Sequence, residues 1–250
     1  MQDKIWNVDG YLAKAVSWSR YSSTYPFLVA IKLIRRGGRR SHTCGGTLIA
    51  DSYVLTAAHC VSKMRNGRIM FYDASAFEVW WGQGDNNWIS SGVDNMVIPS
   101  SFTGQSTNYR DDIAVLILKR RFSGATSARL SHLRSYVGSK PLIAGWGAVD
   151  RNSQVYQADK LREGQTVIQD PSLCKLLWSG FDTQRKICSL SLRSGFSGAG
   201  KGDSGGPMLL NGYQIGITSH RKAVAGEHID VYTKVSHYVG WINRVFSRYR

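Results

Sequence analysis

From Tyr25-Pro26 to Leu33, apolar and β-branched residues follow one another as they do in a β-strand. Comparable short runs recur near Thr47–Leu55, Ile69–Tyr72, Phe77–Trp81 and Ala114–Leu118. The second half repeats the habit near Pro141–Gly145, Gly164–Ile168, Pro207–Leu210, Gln214–Thr218 and Val231–Val235. Many short strands with glycine turns between them predict antiparallel β structure. The period changes only at the end. Tyr238, Trp241, Ile242, Val245 and Phe246 fall on one face of a helix, with Ser236 as a candidate N-cap and Arg244 and Arg248 toward the C-terminal dipole end. A charged run, Lys119-Arg120-Arg121, gives way to a Ser/Gly/Ala-rich stretch, so residues 123–139 are expected to link two halves. No stretch approaches the roughly 18 consecutive apolar residues of a membrane span.

Length and charge narrow the classes. The chain has 250 residues, enough for one large domain or two small ones. Its 32 basic and 17 acidic residues leave a formal charge of +15, which attracts anionic partners in a manner that salt weakens. Nucleic acid is a poor candidate, since only the charge speaks for it and no recognition motif accompanies it. Arg35-Arg36-Gly37-Gly38-Arg39-Arg40 reads as a hairpin tip, either a solvated basic loop or a site for carboxylate, sulfate or phosphate. The first ten residues contain Asp3 and Lys4 and lack the apolar core of a signal peptide. The four cysteines allow three pairings, and none has the CxxC spacing of a zinc site, so no metal is expected.

The chemistry concentrates in three places. Gly202-Asp203-Ser204-Gly205-Gly206-Pro207 surrounds a serine with glycines, which permit positive φ and close backbone approach. Such a turn holds a hydroxyl exposed and aims N–H groups at one point, as acyl transfer requires. Upstream, Thr56-Ala57-Ala58-His59-Cys60 ends an apolar stretch, and Asp111-Asp112-Ile113-Ala114 opens another. A serine hydroxyl needs a base, and the base needs an orienting carboxylate. The other histidines, His42, His132, His220, His228 and His237, are read as structural.

These motifs, in the order His, Asp, Ser, resemble the trypsin/chymotrypsin-like serine proteases. The resemblance extends to Cys44-Gly45-Gly46-Thr47-Leu48-Ile49, Ala144-Gly145-Trp146-Gly147 and Val231-Tyr232-Thr233-Lys234-Val235, from about Val8 to the C-terminus. It implies an all-β fold, two six-stranded antiparallel β-barrels of the chymotrypsin type closed by a C-terminal helix. The expected layout is a leader or tail at 1–7, barrels at 8–122 and 140–235, the linker at 123–139 and the helix at 236–250. The implied activity is that of a secreted serine endopeptidase working through an acyl-enzyme on Ser204, with His59 as base and Asp112 as the orienting carboxylate. Asp111 is then a surface carboxylate. Gly202 and Ser204 supply the oxyanion hole, and Ser219 supports Asp112. The family pattern pairs Cys44 with Cys60 and Cys174 with Cys188, and two disulfides suit an oxidising compartment.

Several positions depart from that pattern. Family members expose an amino terminus that enters the body and pairs with the residue matching Asp203, but Asn7 occupies the place of the usual isoleucine before Val8-Asp9-Gly10. The pocket disulfide of many relatives has no counterpart, Gly200 standing where its first cysteine would be. Gly198 leaves the pocket floor uncharged, while Asp230 on its wall offers a carboxylate to a basic P1 side chain. Arg221 replaces a glycine at the pocket mouth, where it narrows the entrance or neutralises Asp230. A basic or mixed P1 preference is therefore expected. The loop Gln83-Gly84-Asp85-Asn86-Asn87 carries a single carboxylate, too few for calcium, and no cofactor is expected. Expected partners are protein or peptide substrates, a protein inhibitor, and an anionic polymer or acidic protein at Arg35, Arg36, Arg39 and Arg40, with the chain a monomer. The alternative is a catalytically silent homologue that uses its basic surface to bind anionic partners.

Overall fold

The computed structural model describes residues 14–15, 24–82, 88–148, 160–178, 180–190, 198–224 and 227–249. The expectations for the amino-terminal residues and for the 83–87 loop lie outside these.

In the first half, β1 (Leu28–Ile34), β2 (Arg40–Ala50), β3 (Tyr53–Thr56), β4 (Phe77–Gly82), β5 (Trp88–Val97) and β6 (Ala114–Leu118) close into a barrel in the order β1-β2-β3-β6-β5-β4. β1 shows why its apolar run is nearly unbroken. Side chains alternate across a strand. Val29, Ile31 and Leu33 point into the barrel core, whereas Leu28 and Ala30 pack outward with Ala144, Trp146, Leu161 and Leu209 of the second half. Both faces are buried, so both must be apolar. The turn at Arg36–Gly38, with Gly37 and Gly38 at positive φ, joins β1 to β2 as the expected hairpin.

In the second half, β7 (Leu142–Gly145), β8 (Arg162–Gln165), β9 (Val167–Ile168), β10 (Lys186–Leu190), β11 (Pro207–Leu210), β12 (Tyr213–Val224) and β13 (Glu227–Lys234) follow the order β8-β7-β11-β12-β13-β10-β9. β8, whose outer edge pairs with the short strand Lys14–Ala15, and the end strand β9 are consecutive in the chain, separated only by the fully buried Thr166, so the sheet curls into a nearly closed second barrel. Ile143, Ile168, Ile187, Met208, Ile215 and Tyr232 fill it.

Both expected disulfides form. Cys44–Cys60 ties β2 to the turn that carries His59, and Cys174–Cys188 ties helix α1 (Pro171–Leu177) to β10. Two sequence expectations need correction. The apolar run Thr47–Leu55 is two strands, broken at Asp51-Ser52. Helix α2 (Val235–Arg248) begins after Lys234 with no side-chain cap, so Ser236 lies inside it. Its apolar face also reaches the first barrel: Tyr238, Ile242 and Val245 join that core, and Tyr53 Oη donates to Tyr249 O at 2.6 Å. The helix thus lies on β12 of the second barrel and straps the two halves together.

Candidate active site

Asp111 and Asp112 open β6 in different environments. Asp112 is fully buried. Its Oδ1 accepts the main-chain N–H of His59 at 2.9 Å, its Oδ2 accepts His59 Nδ1–H at 2.8 Å, and Ser219 Oγ donates to the same Oδ2. Thr233 Oγ1 donates to its main-chain carbonyl at 2.7 Å. Asp111 is also buried, at 7% exposure, contrary to the surface role expected from sequence. It accepts from Ser101 Oγ, from Tyr238 Oη at 2.7 Å and from Arg185 Nε at 3.1 Å. It joins the first barrel, the second barrel and helix α2.

His59 stands on a short 3-10 turn, Ala58–Val61, anchored by Cys60. Its side chain keeps 23% of its surface exposed while that of Asp112 keeps none, so the imidazole reaches the cleft and its carboxylate partner does not. Burial works to lower the pKa of His59, but the charge and hydrogen bond of Asp112 outweigh it and hold the ring above its ordinary value of 6.5. Burial likewise pushes Asp112 upward, and the charge and hydrogen bond of His59 more than reverse it, leaving the carboxyl below the usual range.

The 202–206 turn lies against these residues. Ser204 O accepts Gly45 N–H at 2.8 Å, and Gly205 N–H donates to Thr218 O at 2.8 Å. Gly205 has φ +77°, and a Cβ there would lie 2.1 Å from Thr56 Oγ1, so glycine is required beside the strand that leads to His59. Asp203, Gly205 and Gly206 spend their N–H groups on main-chain carbonyls, whereas those of Gly202 and Ser204 have no acceptor among the described residues. Two main-chain donors of the turn are thus left unclaimed, as an oxyanion site needs. No hydrogen bond joins Ser204 to His59 among the described residues. His42, read from sequence as structural, supports the turn by donating from Nε2 to Gly202 O at 3.0 Å.

Asp203 turns inward. Its carboxylate accepts Gly147 N–H at 2.7 Å and Gly200 N–H at 2.8 Å. Burial dominates these contacts and raises its pKa to about 6. No salt bridge reaches it among the described residues. Gly200 itself abuts Ala148, whose carbonyl would lie 2.0 Å from an added Cβ, so backbone fills the place a side chain would need.

Of the residues expected in the pocket, Ser219 and Arg221 lie on β12 and Asp230 on β13, and Gly198 precedes Ala199, which Arg221 contacts. Arg221 and Asp230 face each other across β12 and β13, with Nε 2.6 Å from Oδ1. A second guanidinium nitrogen of Arg221 donates to Ala199 O at 2.8 Å. Of the two readings of Arg221, the structure thus displays neutralisation of Asp230, and the side chain spans from β12 to the 198–200 segment.

An aromatic group that sequence reasoning missed lies beside the imidazole. Tyr109 meets His59 edge-on at 6.0 Å and stacks on His220 at 4.7 Å, and Trp178 meets His220 edge-on at 5.6 Å. These residues lie far apart in the chain and belong to no local motif.

The two barrels, the His–Asp pair and the glycine-cradled serine define a serine protease of the chymotrypsin fold. The family model described as Trypsin matches residues 17–242, so the chain belongs to the trypsin family of serine endopeptidases. The trypsin of Squalus acanthias is 30% identical over 210 residues, covering 82% of this chain and 86% of that protein. Chymotrypsin-like elastase family member 1 of Homo sapiens is 30% identical over 241 residues, covering 90% and 89%. Phenoloxidase-activating factor 3 of Holotrichia diomphalia is 29% identical over 245 residues, covering 88% and 68%.

Proposed function

We propose that this chain hydrolyses peptide bonds through an acyl-enzyme on Ser204. His59 takes the Ser204 proton as the hydroxyl attacks the scissile carbonyl, and later returns it to the leaving amine. Asp112 holds His59 with its proton on Nδ1, so that Nε2 is the free base. The N–H groups of Gly202 and Ser204 receive the oxyanion. The observation that carries this reading is the buried Asp112 clamping both the ring and the backbone of His59. Treatment with a fluorophosphonate probe tests it. Labelling that is lost in Ser204→Ala supports an activated serine, and absence of labelling in correctly processed protein supports the silent homologue instead.

The finer reading follows from the pocket. A basic P1 side chain can use Asp230 only by displacing Arg221, so the P1 preference is mixed, with a weak basic component and tolerance of large apolar side chains. Asp203 is the partner of a freed amino terminus. At the basic hairpin, Arg40 is ion-paired with Glu78 and Arg35 donates to Ser41, which leaves Arg36 and Arg39, exposed and without a partner among the described residues, to meet an acidic partner. Two disulfides favour secretion. Among the described residues no helix is long and apolar enough to cross a membrane.

A further inference from the structure

Adjacent side chains on a strand normally point to opposite faces. Ser219 and His220 do not, because the pairing of β12 with β13 slips between Thr218 and His220, leaving Ser219 as the extra residue of a bulge. Ser219 Oγ contacts Asp112 Oδ2 on one side and His220 Nδ1, at 3.0 Å, on the other. A hydroxyl has one proton and can donate it to only one of these. Asp112, held below the usual carboxylate range, has no proton to give, so Ser219 must donate to it. The lone pairs of Ser219 then face His220 Nδ1, and two acceptors at that distance would repel. Nδ1 must therefore carry a proton.

We infer that His220 is a positioning residue for the orienting carboxylate: its Nδ1–H, donated to Ser219 Oγ, commits the Ser219 proton to Asp112. Asp112 is thus gripped by a histidine directly on one side and by a histidine through a serine on the other. The inference rests on the reading of His59 and Asp112 as base and orienting carboxylate. Hydrogen-bonded chains of this kind polarise one another, so each donor strengthens the next. The ring is itself fixed, stacked on Tyr109 and edge-on to Trp178. Among the described residues, the ionisable groups around it include Tyr109 on its face, Asp112 and His59 across Ser219, Lys186 over the Trp178 ring, and the Arg221–Asp230 pair one position along β12.

The state of the ring can be read without turnover. In protein labelled with 15N at histidine, long-range proton–nitrogen spectra report which ring nitrogen is protonated, and the His220 signals are those missing from His220→Asn. Neutral His220 is expected to show a protonated Nδ1 and an unprotonated Nε2. The opposite tautomer would overturn the inference while leaving the assignment of Ser204 untouched. A kinetic arm asks whether the donor matters. His220→Phe keeps a ring and loses the N–H, and should lower kcat by about 2- to 10-fold, the worth of one ordinary hydrogen bond. It should also move the acid limb of kcat/KM to higher pH, because a carboxylate held less firmly by Ser219 places more of its charge on His59. His220→Asn, whose amide N–H occupies the place of Nδ1–H, should recover most of both changes. Equal behaviour of the Phe and Asn variants would refute the role of the donated proton.

Discussion

Arg221 Nε lies 2.6 Å from Asp230 Oδ1, and the pair spans neighbouring positions of β12 and β13. Asp230 is 2% exposed, and a buried carboxylate requires such a partner. The cation that a basic P1 residue would bring is therefore already supplied by the protein. Arg221→Gly should raise the preference for Arg or Lys at P1 by roughly 10- to 100-fold, the worth of a charge-assisted hydrogen bond of about 1.5–3 kcal/mol. Asp230→Gly should remove the basic component. Profiling both variants on a P1-varied peptide library checks this, and an unchanged profile in Asp230→Gly would take Asp230 out of the pocket.

The pH profile should have its acid limb above 6.5, the ordinary value for the imidazole. Protonated His59 cannot accept the serine proton, and Asp112 stabilises the protonated ring, so activity falls as pH drops through that raised pKa. In Asp112→Asn the stabilising charge is gone and the acid limb should move down, with kcat lower by orders of magnitude. Steady-state kinetics between pH 5 and 9 would show it.

Asp203 makes a prediction about stability. Its folded pKa, about 6, lies above the ordinary 3.8. The folded state therefore holds the proton more tightly than the unfolded state, and the stabilising contribution is complete below pH about 4 and lost as pH rises through about 6. The loss is on the order of 3 kcal/mol at neutral pH. Urea unfolding of the Met1 form against Asp203→Asn should show that difference growing across this window. In a form beginning at Asn7, pairing of the new ammonium with Asp203 should shrink it and raise activity. Identical curves and activities in both forms would mean that the chain does not use this switch.

Asp111 predicts a different loss. Replacing it by Ala leaves Arg185 and Tyr238 facing a buried gap where helix α2 meets the barrels. Arg185 keeps Asp182 at 2.9 Å, so the cost is that of the lost hydrogen bonds to the carboxylate, about 1.5–3 kcal/mol. Thermal unfolding should show a markedly lower midpoint, with residual activity in the folded fraction. A midpoint equal to that of the parent chain would contradict the strapping role.

Much of this was legible in the residues themselves. The strand β6 declares itself because all five of its residues are buried and apolar, helix α2 because it buries a face of fixed period, and Gly202–Pro207 because Gly202 and Gly205 take positive φ. Strand β5 escaped notice: two serines, a glycine and an aspartate interrupt its alternation, which hydrogen bonding to β4 and β6 overrides. Strand β10 escaped because five residues opening on Lys186 carry too weak a pattern, and its place is fixed by β13 and Cys188. The site divides in the same way. His59, Asp112 and Ser204 sit in local motifs, whereas the burial of Asp111, the stack of Tyr109 on His220 and the contact between Arg221 and Ala199 arise from segments distant in the chain. No local pattern encodes them.

The most direct measurement is the time course of leaving-group release from a chromogenic ester mixed with the processed enzyme. If Ser204 forms an acyl-enzyme, release begins with a rapid burst whose size equals the enzyme present, followed by slower turnover, and Ser204→Ala shows no burst. A burst that survives in Ser204→Ala, or peptide hydrolysis undiminished by that substitution, would contradict Ser204 as the nucleophile.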